Sequence, residues 1–257
     1  MTLGVIYNLW DCEYLIEKSI QQIYEYVDFV IIGWQKNSNY GEENPKVEET
    51  VKDLLNRYEK IRSYKYEPDA KYSGQYNEKT KRNKGLEVAL NFGCTHYILM
   101  DADEFYQGGR FCQAKYFIME NNIDSSSMGL YSYYKSPILR LEPQEKYDVP
   151  FICKLNADTK VGDFEFPAYC DPTRKPYHTG KYHRFDDMVM HHYTFCRRDI
   201  NQKINNSSAK QNYIAIYGSL NKFVEKFHSE KKPIIGEFSL IETFDIFGLV
   251  SNFETNK

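Results

Sequence analysis

The first part of the chain alternates between short apolar runs and apolar residues at helical spacing. Gly4 to Leu9 and Asp28 to Trp34 are continuous apolar runs, which are typical of strands covered on both faces of a parallel sheet. Between them, Cys12 to Val27 carries isoleucines and valine three and four residues apart, which predicts an amphipathic helix. The chain therefore opens with a strand, a helix and a strand.

The same alternation continues to about residue 100. Val47 to Lys60 has helical spacing, and Ile61 to Tyr66 predicts a third strand. A helix is expected from about Glu78 to Phe92, with Gly93 where a helix end favours a left-handed residue. His96 to Met100 predicts a fourth strand. This order is typical of a parallel, doubly wound α/β sheet, whose ligands bind beyond the carboxyl ends of the strands.

The second half predicts a less regular mixture of elements. We expect one domain over residues 1–257, because a chain of this length can bury a large core. Asp199 and Ser219 stand where they can cap the starts of two helices. The other expected elements are a helix over Phe111 to Glu120, strands over Met128 to Tyr134, Ile138 to Leu141, Phe151 to Leu155 and Met188 to Phe195, and loops over Val161 to Arg184.

Composition narrows the class of protein. The net charge of -3 comes from 33 basic and 36 acidic residues, which disfavours a strongly cationic nucleic-acid binder but allows a local basic groove. The six cysteines show no C-x-x-C spacing, so we expect buried thiols. We find no signal-like start and no apolar stretch of about 20 residues, which predicts no transmembrane segment and a cytoplasmic location.

Candidate chemistry lies where the fourth strand ends. That strand runs directly into Asp101-Ala-Asp-Glu-Phe105, so two carboxylates one residue apart can turn toward one crevice. Closely spaced oxygen ligands suit Mg²⁺ or Mn²⁺, which complete their shells with substrate phosphates and water. A D-x-D alone is also compatible with a solvated turn.

The helix before this strand opens with a basic segment. Lys79-Thr-Lys-Arg-Asn-Lys-Gly85 places Lys81, Arg82 and Lys84 near a helix start, where cations and backbone N–H groups can hold phosphate oxygens. The segment is also compatible with a solvated basic turn.

Together these segments resemble a known family. Lys81 to Phe105 (KRNKGLEVALNFGCTHYILMDADEF) is similar to the central signature of family-two-like glycosyltransferases with the GT-A fold. Val5 to Asn8, followed by Glu13-Tyr-Leu, resembles the first strand and helix of that family. The resemblance implies a Rossmann-like, mostly parallel sheet flanked by helices. Residues 1–110 would be the nucleotide-sugar half, and residues 111–257 a mixed, acceptor-binding half.

The resemblance also implies a substrate and a cofactor. The donor would be a nucleotide-diphosphate sugar, and Asp101 and Asp103 would hold a Mn²⁺ or Mg²⁺ ion that bridges its phosphates. At the end of the third strand, Tyr66-Glu67-Pro68-Asp69 departs from the family pattern, which leaves the nucleobase open. The positions that match donor-binding residues are Tyr7, Asn8, Glu13, Arg82, Asn83, Asp101 and Ala102.

A histidine pair provides candidates for a third metal ligand. His191 and His192 lie on an apolar strand, and adjacent strand residues face opposite sides, so only one of them can reach the ion. We favour His192, because His-Tyr-Thr-Phe resembles a motif of related chains, and keep His191 as the second candidate.

A carboxylate is expected to deprotonate the acceptor hydroxyl if the reaction inverts the anomeric centre. The candidates are Asp171, Asp187 and Glu165. We rank Asp171 first, because the Asp-Pro-Thr-Arg turn is rigid and its Arg174 can orient a carboxylate or bind a phosphate. The sequence leaves inversion and retention equally open.

Several functions remain compatible with the sequence. The acceptor is expected to be a glycan or a small molecule. Alternatively, it is a hydroxylated base of viral DNA, with phosphate contacts at Arg174-Lys175, Arg197-Arg198, Lys203 and Lys210. A cation-dependent nucleotidyltransferase and a non-catalytic nucleotide-sugar-binding module are also compatible with these residues.

Overall fold

Two sheets with flanking helices form the computed structural model, which describes residues 1–177 and 180–253. A 3-10 turn at Tyr24–Tyr26 follows the first helix. In chain order the elements are β1 (Leu3–Leu9), α1 (Glu13–Ile23), β2 (Phe29–Trp34), α2 (Lys46–Arg57), β3 (Ile61–Lys65), α3 (Gly74–Asn91), β4 (His96–Asp101), β5 (Glu104–Phe105), α4 (Gly108–Asn121), β6 (Ser125–Tyr134), β7 (Leu139–Glu142), β8 (Val149–Pro150), β9 (Cys153–Lys154), β10 (Tyr182–Phe195), α5 (Ile200–Asn206), α6 (Lys210–Tyr217), α7 (Leu220–Ser229), β11 (Ser239–Glu242) and α8 (Val250–Phe253).

The first sheet has the order β3-β2-β1-β4-β9. Its first four strands are parallel, and β9 pairs with β4 in the antiparallel direction. The chain winds one way from β1 to β3 and then returns to the other side of β1 as β4, so β1 and β4 flank a topological switch point. The prediction of a mixed α/β fold with a parallel-rich sheet flanked by helices is confirmed.

Helices cover both faces of this sheet. On one face, Val5 and Tyr7 of β1 pack in the same core as α1 and α2. On the other face, Ile6 packs with Leu86 and Ala89 of α3. Because both faces of β1 are buried, its sequence is a continuous apolar run rather than an alternating one.

Helix α3 approaches β1 closely at Gly85. A Cβ atom at this position would lie 2.4 Å from Cγ2 of Ile6 and 2.9 Å from Oη of Tyr64. Only glycine allows this approach, which brings the first half of α3 to the carboxyl ends of β1 and β4.

The second sheet has the order β11-β7-β6-β10-β5, and β8 pairs with β6. Strand β10 runs parallel to β6 and antiparallel to β5, with His192 opposite Glu104. Because β5 begins three residues after Asp101, the turn at residues 101–103 joins the two sheets.

Three predicted helix ends are confirmed. Gly93 has a φ of +75°, so it is in the left-handed region. The side chain of Asp199 accepts a hydrogen bond from the Gln202 N–H, and that of Ser219 accepts one from the Lys222 N–H.

Some boundaries were predicted wrongly. Helix α3 begins at Gly74, before the expected Glu78, because the Ser73 hydroxyl caps it by accepting from the Tyr76 N–H. Strand β10 begins at Tyr182 within the predicted loop, because its first residues pair with β6. Residues 178 and 179 of that predicted loop lie outside the described residues.

None of the helices within residues 1–177 and 180–253 has both the length and the apolar character needed to cross a bilayer.

Candidate functional site

A polar cavity of about 130 Å³ lies at the carboxyl ends of β1, β2 and β4. Asn8 near the end of β1 and Asp101 at the end of β4 are paired in register, so the cavity sits at the switch point of the sheet. The other lining residues are Trp10, Asp11, Gln35, Ser38, Asn39, Glu78, Lys81, Ala102, Asp103, Lys203, Asn206, Ser207 and Ser208.

Helix α5 and the turn after it form another part of the cavity wall. Lys203 and Asn206 line the cavity from this helix. The Asn206 Nδ2 donates to Oε2 of Glu42 at 2.5 Å, which ties α5 to the loop after β2. The cavity is therefore built from segments far apart in the sequence.

Asp101 is paired with two buried arginines. Nη2 of Arg82 lies 3.0 Å from Oδ1 of Asp101, and Arg174 forms a second ion pair with the same carboxylate. Burial by itself would raise the pKa of Asp101, but the charges of Arg174 and Arg82 outweigh it and hold that pKa at about 2. This carboxylate is ionised at neutral pH and its charge is balanced.

Glu104 fixes the geometry of the acidic turn through two hydrogen bonds. Its Oε2 accepts hydrogen bonds from the Asp101 backbone N–H and from Nη1 of Arg174, both at 3.0 Å. The side chain is only 1% exposed, and burial raises its pKa despite the arginine. Sequence reasoning gave this residue no role.

Asp103 is held by residues of β10 and the segment after it. Its carboxylate forms an ion pair with Arg197, and Nε2 of His192 lies 3.4 Å from Oδ2. Burial acts to raise the pKa of Asp103, but Arg197 and His192 lower it well below its usual range. The Tyr193 N–H also donates to the Asp103 carbonyl at 2.9 Å, so the turn is fixed through backbone as well as side chain.

The two histidines point to opposite sides of β10. His192 lies beside Asp103, whereas Nδ1 of His191 lies 2.8 Å from Oη of Tyr133 and its ring packs on Phe247. His191 is therefore placed away from the acidic turn, and burial lowers its pKa to about 4.

The arrangement of these groups does not fit a divalent ion. Within the described residues, no group of three or more His, Cys, Asp or Glu side chains lies close enough to hold a metal. Both carboxylates of the D-x-D already accept from guanidinium groups. The metal site at Asp101, Asp103 and His192 stays a prediction from the sequence.

Two lysines bring positive charge to the cavity. Lys81 on α3 is 3% exposed, and burial lowers its pKa to about 7. Lys203 reaches the cavity from α5. Among the described residues, neither ammonium group has a hydrogen-bond or ion-pair partner within 4.0 Å.

Polar atoms of three lining residues also lack partners. Oδ1 of Asn8, Nε1 of Trp10 and Oε1 of Gln35 are buried and have no hydrogen bond within the described chain. Buried polar groups are normally paired, by protein, water or ligand. The cavity wall is thus suited to a ligand with both donors and acceptors.

The predicted donor-binding residues separate into two sets. Asn8, Asp101 and Ala102 line the cavity. Tyr7, Glu13, Arg82 and Asn83 do not. Because strand residues alternate between faces, the Tyr7 side chain points into the core that β1 shares with α1 and α2. Its hydroxyl lies 2.8 Å from that of Ser19.

The other three residues outside the cavity have structural partners. Glu13 accepts a hydrogen bond from Nδ2 of Asn44 at 3.3 Å. Arg82 lies behind the lining, bound to Asp101. Asn83 exchanges two 2.9 Å hydrogen bonds with the backbone of Val161, which connects α3 to the loop after β9.

None of the three candidate bases lines the cavity at Asp101 and Asp103. Asp171 accepts from the Thr173 N–H and hydroxyl, in the turn that carries Arg174 to Asp101. Asp187 instead lies in a separate cavity near Arg110, 4.0 Å from its Nη1. Glu165 lines a third cavity, formed by residues 163–169 and Lys175.

Two of the expected DNA-phosphate contacts are not at the surface. The side chains of Arg174 and Arg197 are 8% and 3% exposed and are paired with carboxylates. They therefore do not face a nucleic-acid backbone, which corrects that part of the DNA hypothesis.

Sequence reasoning missed several lining residues. Gln35, Ser38 and Asn39 follow the end of β2, and their place after a parallel strand was a usable signal. Ser207 and Ser208 follow a short helix remote from the sheet, and nothing in their spacing marks them.

The fold and cavity define an α/β protein with a candidate anion-binding site at its switch point. No protein-family model and no curated protein matches the chain. Residues 1–349 of S. aureus TarS are similar in structure, with 13% identity, a TM-score of 0.47, and coverage of 90% of this chain and 76% of TarS 1–349.

Two complexes of the same TarS fragment give comparable values. The complex with UDP has 14% identity and a TM-score of 0.45, and covers 90% of this chain and 73% of the fragment. The complex with UDP-GlcNAc has 13% identity and a TM-score of 0.46, and the match covers 88% of this chain and 73% of the fragment. At this level of identity and superposition, the similarity does not carry a function to this chain.

Proposed function

We propose that this protein transfers a sugar from a nucleotide-diphosphate sugar to an acceptor hydroxyl in the cavity at Asp101 and Asp103. One observation carries the proposal: the wall of a polar cavity at the β1–β4 switch point has two lysines that form no ion pair with any described residue. Switch points are where doubly wound sheets bind their ligands.

The chemistry of the cavity lining supports this class of ligand. Lys81 and Lys203 favour an anion, while the unpaired atoms of Asn8, Trp10 and Gln35 suit a base or a ribose with donors and acceptors. A nucleotide-diphosphate sugar combines these features, in agreement with the GT-A resemblance of residues 81–105.

In the proposed reaction, the acceptor oxygen forms a bond to the anomeric carbon of the sugar. The bond between that carbon and the diphosphate oxygen breaks, its electron pair leaves with the nucleoside diphosphate, and the hydroxyl proton passes to a carboxylate. Asp171 is the favoured base, because its turn also carries Arg174 to Asp101. Cations beside the leaving diphosphate stabilise its developing charge.

The acceptor is proposed to be a glycan or a small molecule. The burial of Arg174 and Arg197 removes two of the cations on which the DNA hypothesis depended.

A thermal-shift panel tests the donor class. The probes are UDP-glucose, UDP-GlcNAc, GDP-mannose, ADP-glucose and dTDP-glucose, with ATP and UTP as triphosphates. We expect at least one nucleotide sugar to raise the melting temperature, since a ligand that binds only the native state stabilises it by RT ln(1 + [L]/Kd). Slow release of the nucleoside diphosphate, with water as acceptor, gives a second readout.

A variant that fills the cavity is the control for the site. Ser208→Trp places a large side chain on the lining and should abolish the shift, whereas Ser229→Trp at the exposed end of α7 should retain it. A panel in which only the triphosphates shift the melting temperature would favour a nucleotidyltransferase instead.

A further inference from the structure

We propose that Lys81 and Lys203, rather than a divalent cation, hold the diphosphate of the donor. This inference rests on the proposed function and names the groups that bind the charged part of its substrate. It departs from the metal-dependent arrangement that the D-x-D motif predicts.

The first step is the state of the two carboxylates. Asp101 offers both oxygens to guanidinium nitrogens, at 3.0 Å and 3.3 Å from Arg82, and also binds Arg174. Asp103 is 5% exposed and binds Arg197. A cation would have to displace arginines that are themselves buried, and each would keep only its second carboxylate, Glu78, Glu104 or Asp11.

The second step is the charge of the whole site. A divalent ion is favoured where acidic groups exceed basic ones, but here buried arginines offset the carboxylates. Among the described residues, four carboxylates line the cavity, those of Asp11, Glu78, Asp101 and Asp103. The basic groups that line it or bond to those carboxylates are Lys81, Arg82, Arg174, Arg197 and Lys203.

The third step is the difference between the arginines and the lysines. Arg82, Arg174 and Arg197 are bound to carboxylates, so their charge is used within the protein. Lys81 and Lys203 line the cavity, and neither has an ion-pair partner among residues 1–177 and 180–253. Lys81 is buried, and an ammonium group buried without a direct counter-ion is costly, so a phosphate oxygen would supply the missing charge.

The two lysines reach the same cavity from different helices. Lys81 comes from α3, and Lys203 comes from α5. A diphosphate between these elements would accept from both ammonium groups, while the base and ribose extend toward Asn8, Trp10 and Gln35.

Binding experiments with and without metal test the inference. The probe is the panel nucleotide sugar with the largest thermal shift, titrated into EDTA-treated protein by calorimetry, and again with Mn²⁺ or Mg²⁺ present. We expect the dissociation constant to change less than about threefold between these conditions. Titration of Mn²⁺ alone should give no saturable binding.

Variants locate the effect on the phosphates. Lys203→Met and Lys81→Met should each weaken binding of that nucleotide sugar by about tenfold or more, a loss of about 1.4 kcal/mol per tenfold. The free nucleoside, which lacks phosphates, should bind both variants as it binds the unmodified protein. Lys222→Met on α7 is the matched control and should bind the nucleotide sugar normally.

Two results separate failure of the inference from failure of the proposed function. Binding that disappears in EDTA and returns with Mn²⁺ would overturn the inference and leave the transferase proposal standing. If no nucleotide sugar binds under any condition, both proposals are wrong.

Discussion

Nη1 of Arg174 lies 3.0 Å from Oε2 of Glu104 in the interior of the protein. The same guanidinium also forms an ion pair with Asp101. One arginine from the loop before β10 therefore binds two carboxylates of the acidic turn and fixes their separation.

Arg174→Met should strongly destabilise the protein. The substitution leaves Glu104, which is 1% exposed, without its cationic partner, and breaking a buried pair in this way costs about 3–5 kcal/mol. Urea unfolding at pH 7 measures the loss. Arg57→Met is the control, because Arg57 pairs with Glu17 and Asp53 at the surface and such pairs contribute less than about 1 kcal/mol. Equal losses for the two variants would contradict the buried network.

Gly85→Ala should also destabilise the fold. The added methyl group would lie 2.4 Å from Cγ2 of Ile6, a branched side chain on a buried strand, and overpacking of this kind costs about 1–3 kcal/mol. Gly109→Ala in α4 is the matched control, because its Cβ would meet no atom within 4 Å. Alanine is the better helix former, so the control should be unchanged or up to about 1 kcal/mol more stable. Thermal melts compare the two.

The strands and helices up to residue 101 were predictable because their apolar residues occur in continuous runs or at regular helical spacing. Apolar runs identified β1, β2 and β4, since a strand covered on both faces leaves no polar position. The ends were harder to place. The start of α3 depends on a cap at Ser73. The first residues of β10 are mostly polar and incompletely buried without regular alternation, so they resemble a loop.

The site was predictable only in part. Asn8, Asp101 and Asp103 follow from their place at strand ends, which is a local signal. The pairing of the carboxylates with Arg174 and Arg197 depends on contacts across 73 and 94 positions of the chain. No spacing rule encodes such contacts, so a motif that suggested a metal gave no sign of its arginine partners.

Lys81 should make stability depend on pH. Its pKa is lowered from 10.5 to about 7 by burial, so between pH 7 and 10.5 the unfolded chain binds more protons at this site than the native protein does. Stability therefore rises with pH across this window and falls as pH drops toward 7. Relative to Lys81→Met, the unmodified protein should gain about 2 kcal/mol between pH 7 and pH 9.

Urea unfolding of both proteins at the two pH values measures this gain. All other titrating groups are shared, so their contributions cancel in the difference. Lys222→Met, at an exposed position of α7, should show no such pH-dependent difference. If the free energies of unfolding of Lys81→Met and the unmodified protein change with pH in parallel, the prediction is wrong. Lys81 would then be charged and solvated in the native state.

Asn83→Ala should loosen the loop after β9. The substitution removes two 2.9 Å hydrogen bonds and leaves the backbone N–H and carbonyl of the buried Val161 without these partners, at a cost of about 1–3 kcal/mol. Amide hydrogen exchange at Val161 should be faster. Asn205→Ala, whose side chain bonds only within its own exposed helix, is the control. Unchanged protection at Val161 would contradict the connecting role.

The pairing of β5 with β10 has a consequence for how the molecule is made. Asp103 leaves the ribosome 94 positions before Arg197, the residue that neutralises it, and the β10 backbone arrives only shortly before that arginine. During translation Asp103 therefore lacks its arginine, and Asp101 has Arg82 alone, while the parallel sheet can already form. The cavity is complete only after α5 and the turn that follows it have been made.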